Sequence, residues 1–231
     1  MKIKWKNDDE LFKLMKEKLF SAVIGDIMDQ DGYLHQFLPP AIQPLNDNMV
    51  VAGRAMTVLE ADTFSEVSNS GMNDYLAKPF GLMFKALDDL KKNDVYICTG
   101  ASPRYALWGE LMSTRAIKLG AAGAVLHGYT RDSKGIISLG FPTFSIGRYA
   151  QDQGPRGKVI DFRVEIEMEG VLIHPGDIVF GDTDGVCIIP GQIEEEVIHR
   201  ALDKVEGENK VRKAIEGGMS AGEAFDKFGI M

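Results

Sequence analysis

The sequence predicts an α/β fold with a mixed sheet. Three observations carry that prediction. Helical and buried-strand patterns alternate over residues 79–146. Mostly strand-like runs follow, and then helices. The eight residues from Phe162 to Glu169 alternate apolar and charged side chains, the pattern of an antiparallel strand with one solvated face.

The elements follow in order. Asp8 and Asp9 are candidate caps for a first helix carrying Phe12, Met15 and Leu19 on one stripe. Ser21 is a candidate cap for a second, from Ala22 to about Gln30, ended by the Asp31-Gly32 turn. Prolines 39, 40 and 44 hold an extended linker, because each pushes its predecessor out of the helical region. Arg54 to Glu60 reads as a strand. Asp62 to Tyr75 reads as a long polar loop, a type that is often functional. Phe80, Met83, Phe84 and Leu87 mark a helix, and Asp94 to Thr99 a buried strand. Gly100 to Tyr105 is a turn. Gly109 to Leu119 is a helix with Gly120 as its C-terminal cap. Ala124 to Leu126 and Phe141 to Ile146 are further strands, and the loop from Gly154 to Gly157 is the candidate flexible tip. Ile178 to Phe180 and Gly185 to Ile189 are strands about the Asp182-Thr-Asp-Gly185 turn, which lacks the third acidic position and the terminal Glu of a calcium loop. A long helix starts near Gln192, and a last one lies around Ala221 to Phe228. The reading is one domain, 1–231, with helical extensions over about 1–32 and 192–231.

Composition narrows the function. The 231 residues are 45% hydrophobic and 26% charged, enough for a large core without disulfides or structural metals. A net charge of −8 argues against a general nucleic-acid binder, which needs a basic footprint. Cys98 and Cys187 both sit in apolar strand-like runs and read as small core residues. The four histidines show no zinc spacing: His127 reads as structural, and His35 lies in a loop. With no apolar leader and no long apolar run, no membrane segment is expected, and the cytoplasm is the default location.

Glu110, Arg131 and Asp132 carry the chemistry. Twenty residues separate the acid from the Arg-Asp pair, and they read as one helix followed by one buried strand. Such a unit brings both motifs to one edge of a sheet, just past a strand end, where α/β proteins place ligands. The helix that Gly109 and Glu110 open leaves the amides of Leu111 and Met112 without intrahelical acceptors, so a small carboxylate could bind there. A carboxylate, a guanidinium and a second carboxylate suit a hydrated divalent cation and an anionic oxo acid. Each motif also has a plainer reading: helix-dipole complementarity for Glu110, and an ion pair within a loop for Arg131 and Asp132. No phosphate loop, dinucleotide fingerprint or distinguished Schiff-base lysine occurs.

The ordered motifs resemble the RraA-like family, which includes metal-dependent 4-hydroxy-4-methyl-2-oxoglutarate and 4-carboxy-4-hydroxy-2-oxoadipate aldolases. They run from Ser21-Ala-Val-Ile-Gly-Asp26 through Gly53-Arg-Ala-Met-Thr57, Ala106-Leu-Trp-Gly-Glu110 and Gly128-Tyr-Thr-Arg-Asp132 to Asp182-Thr-Asp-Gly-Val186 and Lys213-Ala-Ile-Glu-Gly-Gly-Met-Ser220. The resemblance implies a layered β/β/α, swivelling-domain-like fold that assembles as a homotrimer or hexamer. It also implies a Mg²⁺ or Mn²⁺ cofactor on Asp132, with Glu110 ordering water in the metal's shell where Asp is the commoner residue. Arg131 would contact substrate oxygens. Glu208 of a neighbouring subunit would approach the metal, with Glu206 a poorer match. The implied activity is a class II lyase that releases pyruvate from 4-hydroxy-2-oxo acids, with oxaloacetate decarboxylation alongside. Gly109, Leu111, Met112 and Arg131 would bind the substrate. The alternatives are a non-catalytic regulator docked on a ribonuclease, and the same site acting on a sugar-derived acid.

Overall fold

The computed structural model describes residues 4–63 and 78–229. The expected loop from Asp62 to Tyr75 lies, beyond Thr63, outside the described residues. In chain order the elements are α1 (Asp8–Lys18), α2 (Ser21–Gln30), β1 (Gln43–Pro44), β2 (Val51–Asp62), α3 (Met83–Asp88), β3 (Asp94–Thr99) and β4 (Ala106–Trp108). Then come α4 (Glu110–Leu119), β5 (Gly123–Thr130), α5 (Ser133–Leu139), β6 (Thr143–Arg148) and β7 (Gly157–Phe162). The chain continues with β8 (Ile166–Met168), β9 (Val171–Ile173), β10 (Ile178–Asp182), β11 (Gly185–Ile189), α6 (Glu194–Glu216) and α7 (Ala221–Phe228).

The sheet is mixed, as the sequence predicts. Its path runs β1-β6-β5-β3-β2-β10-β11, with β4 added to β5 and β7 added to β2. Pairings β2–β3, β3–β5, β5–β6 and β4–β5 are parallel, whereas β1, β7, β10 and β11 join antiparallel. Burial is continuous along β3 and β4 in the parallel part and along β10 and β11 in the antiparallel part. All six residues of β3 are buried, because helices and neighbouring strands cover both faces of a parallel core. The twelve-residue β2 holds β10 along its first half and β7 along its second, and its register shifts between Leu59 and Glu60.

Two apolar clusters form the core. One packs Leu11, Phe12, Val23, Ile24 and Ile198 of the terminal helices on Phe180 and Cys187. The other gathers Leu87, Ala116 and Ile136 of α3, α4 and α5 around Met56, Val125 and Phe144. Arg54 ties the chain ends to β2. Its guanidinium donates to Asp8 Oδ1 at 2.8 Å and Glu194 Oε2 at 2.5 Å, and it lies 5.6 Å from the Phe12 ring centre. The hydrogen bond to Asp8, and then the contact with Glu194, raise its pKa further. Among the described residues, no helix is long and apolar enough to cross a membrane.

Local readings change in four places. The α1 cap is Asn7, whose side chain accepts from the Glu10 amide at 3.0 Å, while Asp8 and Asp9 turn to Arg54 and Lys92. Ser21 is the first residue of α2 rather than its cap. Its amide and hydroxyl both donate to Asp182, at 2.7 Å each, so a carboxylate from the β10–β11 turn caps this helix from across the fold. The run from Phe162 to Glu169 is not one strand. Arg163 takes a left-handed backbone at φ 54° while its side chain pairs with Asp89 and Asp94, and only Ile166–Met168 continues as a half-solvated strand paired with β9. Residues 154–157 form a hydrogen-bonded turn rather than a free tip. The amides of Arg156 and Gly157 donate to Gln153 O at 2.7 and 2.9 Å, and Gly157 packs against the Tyr105 hydroxyl with no space for a Cβ.

The buried Ser21–Asp182 contact generates a prediction. Asp182→Ala leaves two buried donors without an acceptor and is expected to cost about 3 kcal/mol, against about 1 kcal/mol for Ser21→Ala. Urea unfolding of both variants measures this. Equal losses would show that the carboxylate does not cap α2.

Candidate active site

The site is built where β4 and β5 end side by side. The amide of Arg131 and the Thr130 hydroxyl both donate to Trp108 O, at 2.9 and 3.1 Å. β5 therefore stops level with β4. Asp132 then turns the chain into α5 with a left-handed backbone at φ 55°, a conformation that Asp tolerates better than most residues. The turn brings its carboxylate back to the start of α4, where Oδ2 accepts from the Glu110 amide at 3.3 Å. A Cβ on Gly109 would sit 2.7 Å from that oxygen, so a larger residue here would push the Asp132 carboxylate away from the start of α4.

The residues expected to act together do converge, with two exceptions. Gly109, Leu111, Met112, Arg131 and Asp132 all line one open cavity of about 240 Å³. Ser113 is the residue whose amide bonds back to Gly109 O, at 3.1 Å. The amides of Leu111 and Met112 precede it and have no acceptor within the helix. Glu110 is exposed and does not line this cavity; its carboxyl rests against Gly135 in α5, which has no space for a Cβ. Glu208 lies on α6, apart from the cavity within one chain. His127 also stands apart: Nδ1 is 3.1 Å from Thr99 Oγ1 and Nε2 is 3.1 Å from Glu169 Oε1. His35 is exposed in the loop after α2.

Several contributors are not legible in the sequence. Asp152 Oδ1 accepts from Arg131 Nη1 at 2.7 Å, and its Oδ2 accepts from the Gly154 amide at 2.9 Å. Arg131 Nε lies 3.7 Å from Asp132 Oδ2, so one guanidinium serves two acids. The Asp-Gln-Gly stretch at 152–154 carries no signal beyond an ordinary turn. Phe80, Met83 and Phe84 form an apolar wall, and Gln153 closes the polar end. A second open cleft, about 340 Å³, lies against Arg131 and Asp132 and is lined by Arg148 and Tyr149.

Behind Gln153 lies a buried carboxyl. Gln153 Nε2 donates to Glu60 Oε1 at 2.7 Å. The Tyr105 hydroxyl, 3.5 Å from that oxygen, donates to Asp62 Oδ1 at 3.0 Å. Glu60 sits at the irregular step in β2 and is 2% exposed. Burial pushes its pKa up to about 8, with the hydrogen bonds from Gln153 and Tyr105 acting against the rise.

Hard oxygen donors lining the cavity are Asp132 and Asp152, while the Glu110 carboxyl lies outside it against Gly135. Among the described residues, no group of three or more His, Cys, Asp or Glu could enclose a metal ion. The donors fit a cation that keeps most of its water, as magnesium does with one or two carboxylates.

Comparison with known proteins agrees with this geometry. A model of the RraA-like family, described as Aldolase/RraA, matches residues 21–188. The chain belongs to the RraA-like family. A Halalkalibacterium halodurans protein named "Putative 4-hydroxy-4-methyl-2-oxoglutarate aldolase" is 33% identical over 190 residues, covering 81% of this chain and 82% of that one. Legionella pneumophila Protein DlpA is 27% identical over 209 residues, 90% of this chain. The match spans only 32% of DlpA's length. The crystal structure of Streptomyces coelicolor RraAS2, described as an unusual member of the RNase ES inhibitor RraA family, superposes with a TM-score of 0.76 at 23% identity. That match covers 90% of this chain and all of RraAS2, and it establishes the shared fold.

The buried Glu60 makes stability depend on pH. Its folded pKa of about 8 lies above the ordinary 4.5, so the folded chain holds a proton that the unfolded chain releases. That contribution is complete below about pH 4.5 and is lost as pH rises through about 8. Glu60→Gln is expected to gain on the parent across this window, by roughly 2 kcal/mol at its upper end. Urea unfolding at pH 5 and pH 8.5 measures it, and a constant difference between the two proteins would show that Glu60 is ionised throughout.

Proposed function

We propose that the chain is a divalent-metal-dependent carbon–carbon lyase acting on 4-hydroxy-2-oxo acids, the class of 4-hydroxy-4-methyl-2-oxoglutarate and 4-carboxy-4-hydroxy-2-oxoadipate, and releasing pyruvate. One observation carries the reading: Leu111 and Met112 of the first turn of α4, Arg131 and Asp132 line one cavity. Amides and guanidinium suit the substrate's C1 carboxylate. Asp132 suits the hard cation that an enolate-forming lyase needs.

Mg²⁺ or Mn²⁺ held by Asp132, with Glu110 alongside, would supply Lewis-acid polarisation of the 2-oxo group. The protein's own residues do the rest. Leu111 and Met112 amides and Arg131 fix the carboxylate and face the charge that grows as the C3–C4 bond breaks. Asp152 holds Arg131 in place through the 2.7 Å ion pair and acts as a positioning residue. Glu110 is the proposed acceptor, through water, of the C4 hydroxyl proton. The electron pair of the broken bond passes to C3, and C4 leaves as a carbonyl. Loss of CO₂ from oxaloacetate gives the same enolate, so decarboxylation accompanies the cleavage. We further propose a homotrimer or hexamer in which Glu208 of a neighbouring subunit approaches Asp132. The regulator reading calls for a docking surface rather than for this convergence of amides, guanidinium and carboxylate, so the cavity favours the enzyme.

Pyruvate release coupled to lactate dehydrogenase tests the proposal. Activity on 4-hydroxy-2-oxo acids is expected with Mg²⁺ and is lost in EDTA. Asp132→Ala should lower kcat/KM about a thousandfold and abolish the thermal stabilisation given by Mg²⁺. No metal-dependent pyruvate from any such acid or from oxaloacetate would overturn the reading. Full activity in Asp132→Ala would overturn the site.

A further inference from the structure

The lining of the cavity is mixed. Its charged and polar side chains are Arg131, Asp132, Asp152 and Gln153. Phe80, Met83, Phe84 and Leu111 supply apolar surface in the same lining. Phe80 holds a left-handed backbone at φ 63°, a conformation that costs a bulky residue about 1–3 kcal/mol and persists where the surroundings impose it. Two backbone hydrogen bonds impose it here: Val159 N to Phe80 O at 3.2 Å and Leu82 N to Val159 O at 2.9 Å. Its ring meets Phe84 edge-on, with centroids 5.5 Å apart. Phe84 is 57% exposed and Leu111 84% exposed, so the wall presents apolar surface at the mouth, where a ligand can cover it.

Charge points the same way. Arg131 is the only cation among the described residues that line this cavity, and Asp152 already engages it. With Asp132, the lining carries one positive and two negative side chains. A bound divalent cation turns that balance from −1 to +1, which matches a single carboxylate. A second carboxylate on the substrate would lie against apolar side chains with no free cation among the described lining residues, whereas an apolar substituent would cover exposed apolar surface. The second cleft does contain Arg148, whose Nη2 donates to Leu45 O at 2.9 Å. That cleft is not lined by the α4 amides that would hold the C1 carboxylate.

We infer that this site prefers 4-hydroxy-2-oxo acids with one carboxylate and an apolar C4 substituent over those with a second or third carboxylate. The inference rests on the lyase reading and narrows it. For 4-hydroxy-2-oxohexanoate the balance is simple: C3–C4 breaks, the C4 hydroxyl loses its proton, and C4 departs as propanal. C3 keeps the electron pair, takes up a proton and leaves as pyruvate.

Two measurements on the full chain with Mg²⁺ separate the outcomes. Calorimetry compares 2-oxohexanoate with 2-oxoglutarate, neither of which can be cleaved, and the apolar acid is expected to bind at least about tenfold tighter. Coupled assays compare 4-hydroxy-2-oxohexanoate with 4-hydroxy-4-methyl-2-oxoglutarate, with kcat/KM expected to favour the first by a similar factor. Phe84→Arg, at an exposed position that tolerates charge, should shift both ratios about tenfold toward the dicarboxylate. Equal or reversed preference, or ratios unmoved by Phe84→Arg, would overturn the inference and leave the lyase reading standing. Pyruvate from neither hydroxy acid would overturn the lyase reading and the inference with it.

Discussion

The left-handed turn at Asp132 is the constraint on which the site depends. β5 has to end beside β4, and α5 has to begin in the next residues. One residue at φ 55° makes that reversal, and its carboxylate closes onto the first amide of α4 at 3.3 Å. Strand ends, helix start and metal-type carboxylate are thereby one rigid unit. Trp108 reinforces it from below. Its carbonyl takes the Arg131 amide and the Thr130 hydroxyl, while its buried indole Nε1 donates to Ser113 Oγ at 2.7 Å. A longer loop in place of this turn would leave Asp132 free to move away from α4, and the cavity would lose its polar end.

Electrostatics then set an order of binding. Under the proposed lyase reading an acidic protein would accept an acidic substrate, and the local charges do not help at first: Asp132 and Asp152 outnumber Arg131. Such a pocket attracts a divalent cation before it attracts an anion. Once the cation is present, the sign reverses, and the Leu111 and Met112 amides add their partial positive charge. Asp152 therefore has two effects. It aims the guanidinium, and it removes part of the charge that Arg131 could offer to a second substrate carboxylate.

Much of this was legible in the sequence, for identifiable reasons. β3 and α7 were readable because the apolar run Val95-Tyr-Ile-Cys98 and an amphipathic run behind Ser220 each have one physical interpretation. Gly120 declared itself as the end of α4 and is left-handed at φ 80°. The return of the chain to one edge was also readable from the helix and strand between Glu110 and Arg131, but it brings the Glu110 amide to Asp132 and leaves the Glu110 carboxyl outside the cavity. Other features left no local signature. β4 is three residues long and follows a turn, too short for a period to appear. α5 is seven residues with one buried position, Ile136, so it shows no stripe. Ser21 looked like a cap because its residue type suits one. The partner that displaced that reading, Asp182, is 161 residues away. Asp152 and Glu60 acquire their roles only through contacts with Arg131 and Gln153 that no spacing rule anticipates.

The acid at 110 shows how a small change of side chain is absorbed by its surroundings. Compared with the Asp that the family resemblance makes the commoner residue here, Glu110 has one more methylene, and its carboxyl rests against α5. It lands on Gly135, at a place where any Cβ would collide with it. Glu110 and Gly135 are therefore in close contact, and a side chain at Gly135 would turn the exposed Glu110 carboxyl aside. The consequence is a division of the site. Carboxylate and cation chemistry is concentrated between α4 and α5, on side chains anchored by strand ends. Under the proposed reading, recognition of the rest of the substrate would fall to α3 and the strained Phe80, which contribute apolar surface and no charge to the cavity. Substrate preference could then vary through that wall while the Asp132 turn, its glycine neighbours and the reaction it supports stay fixed.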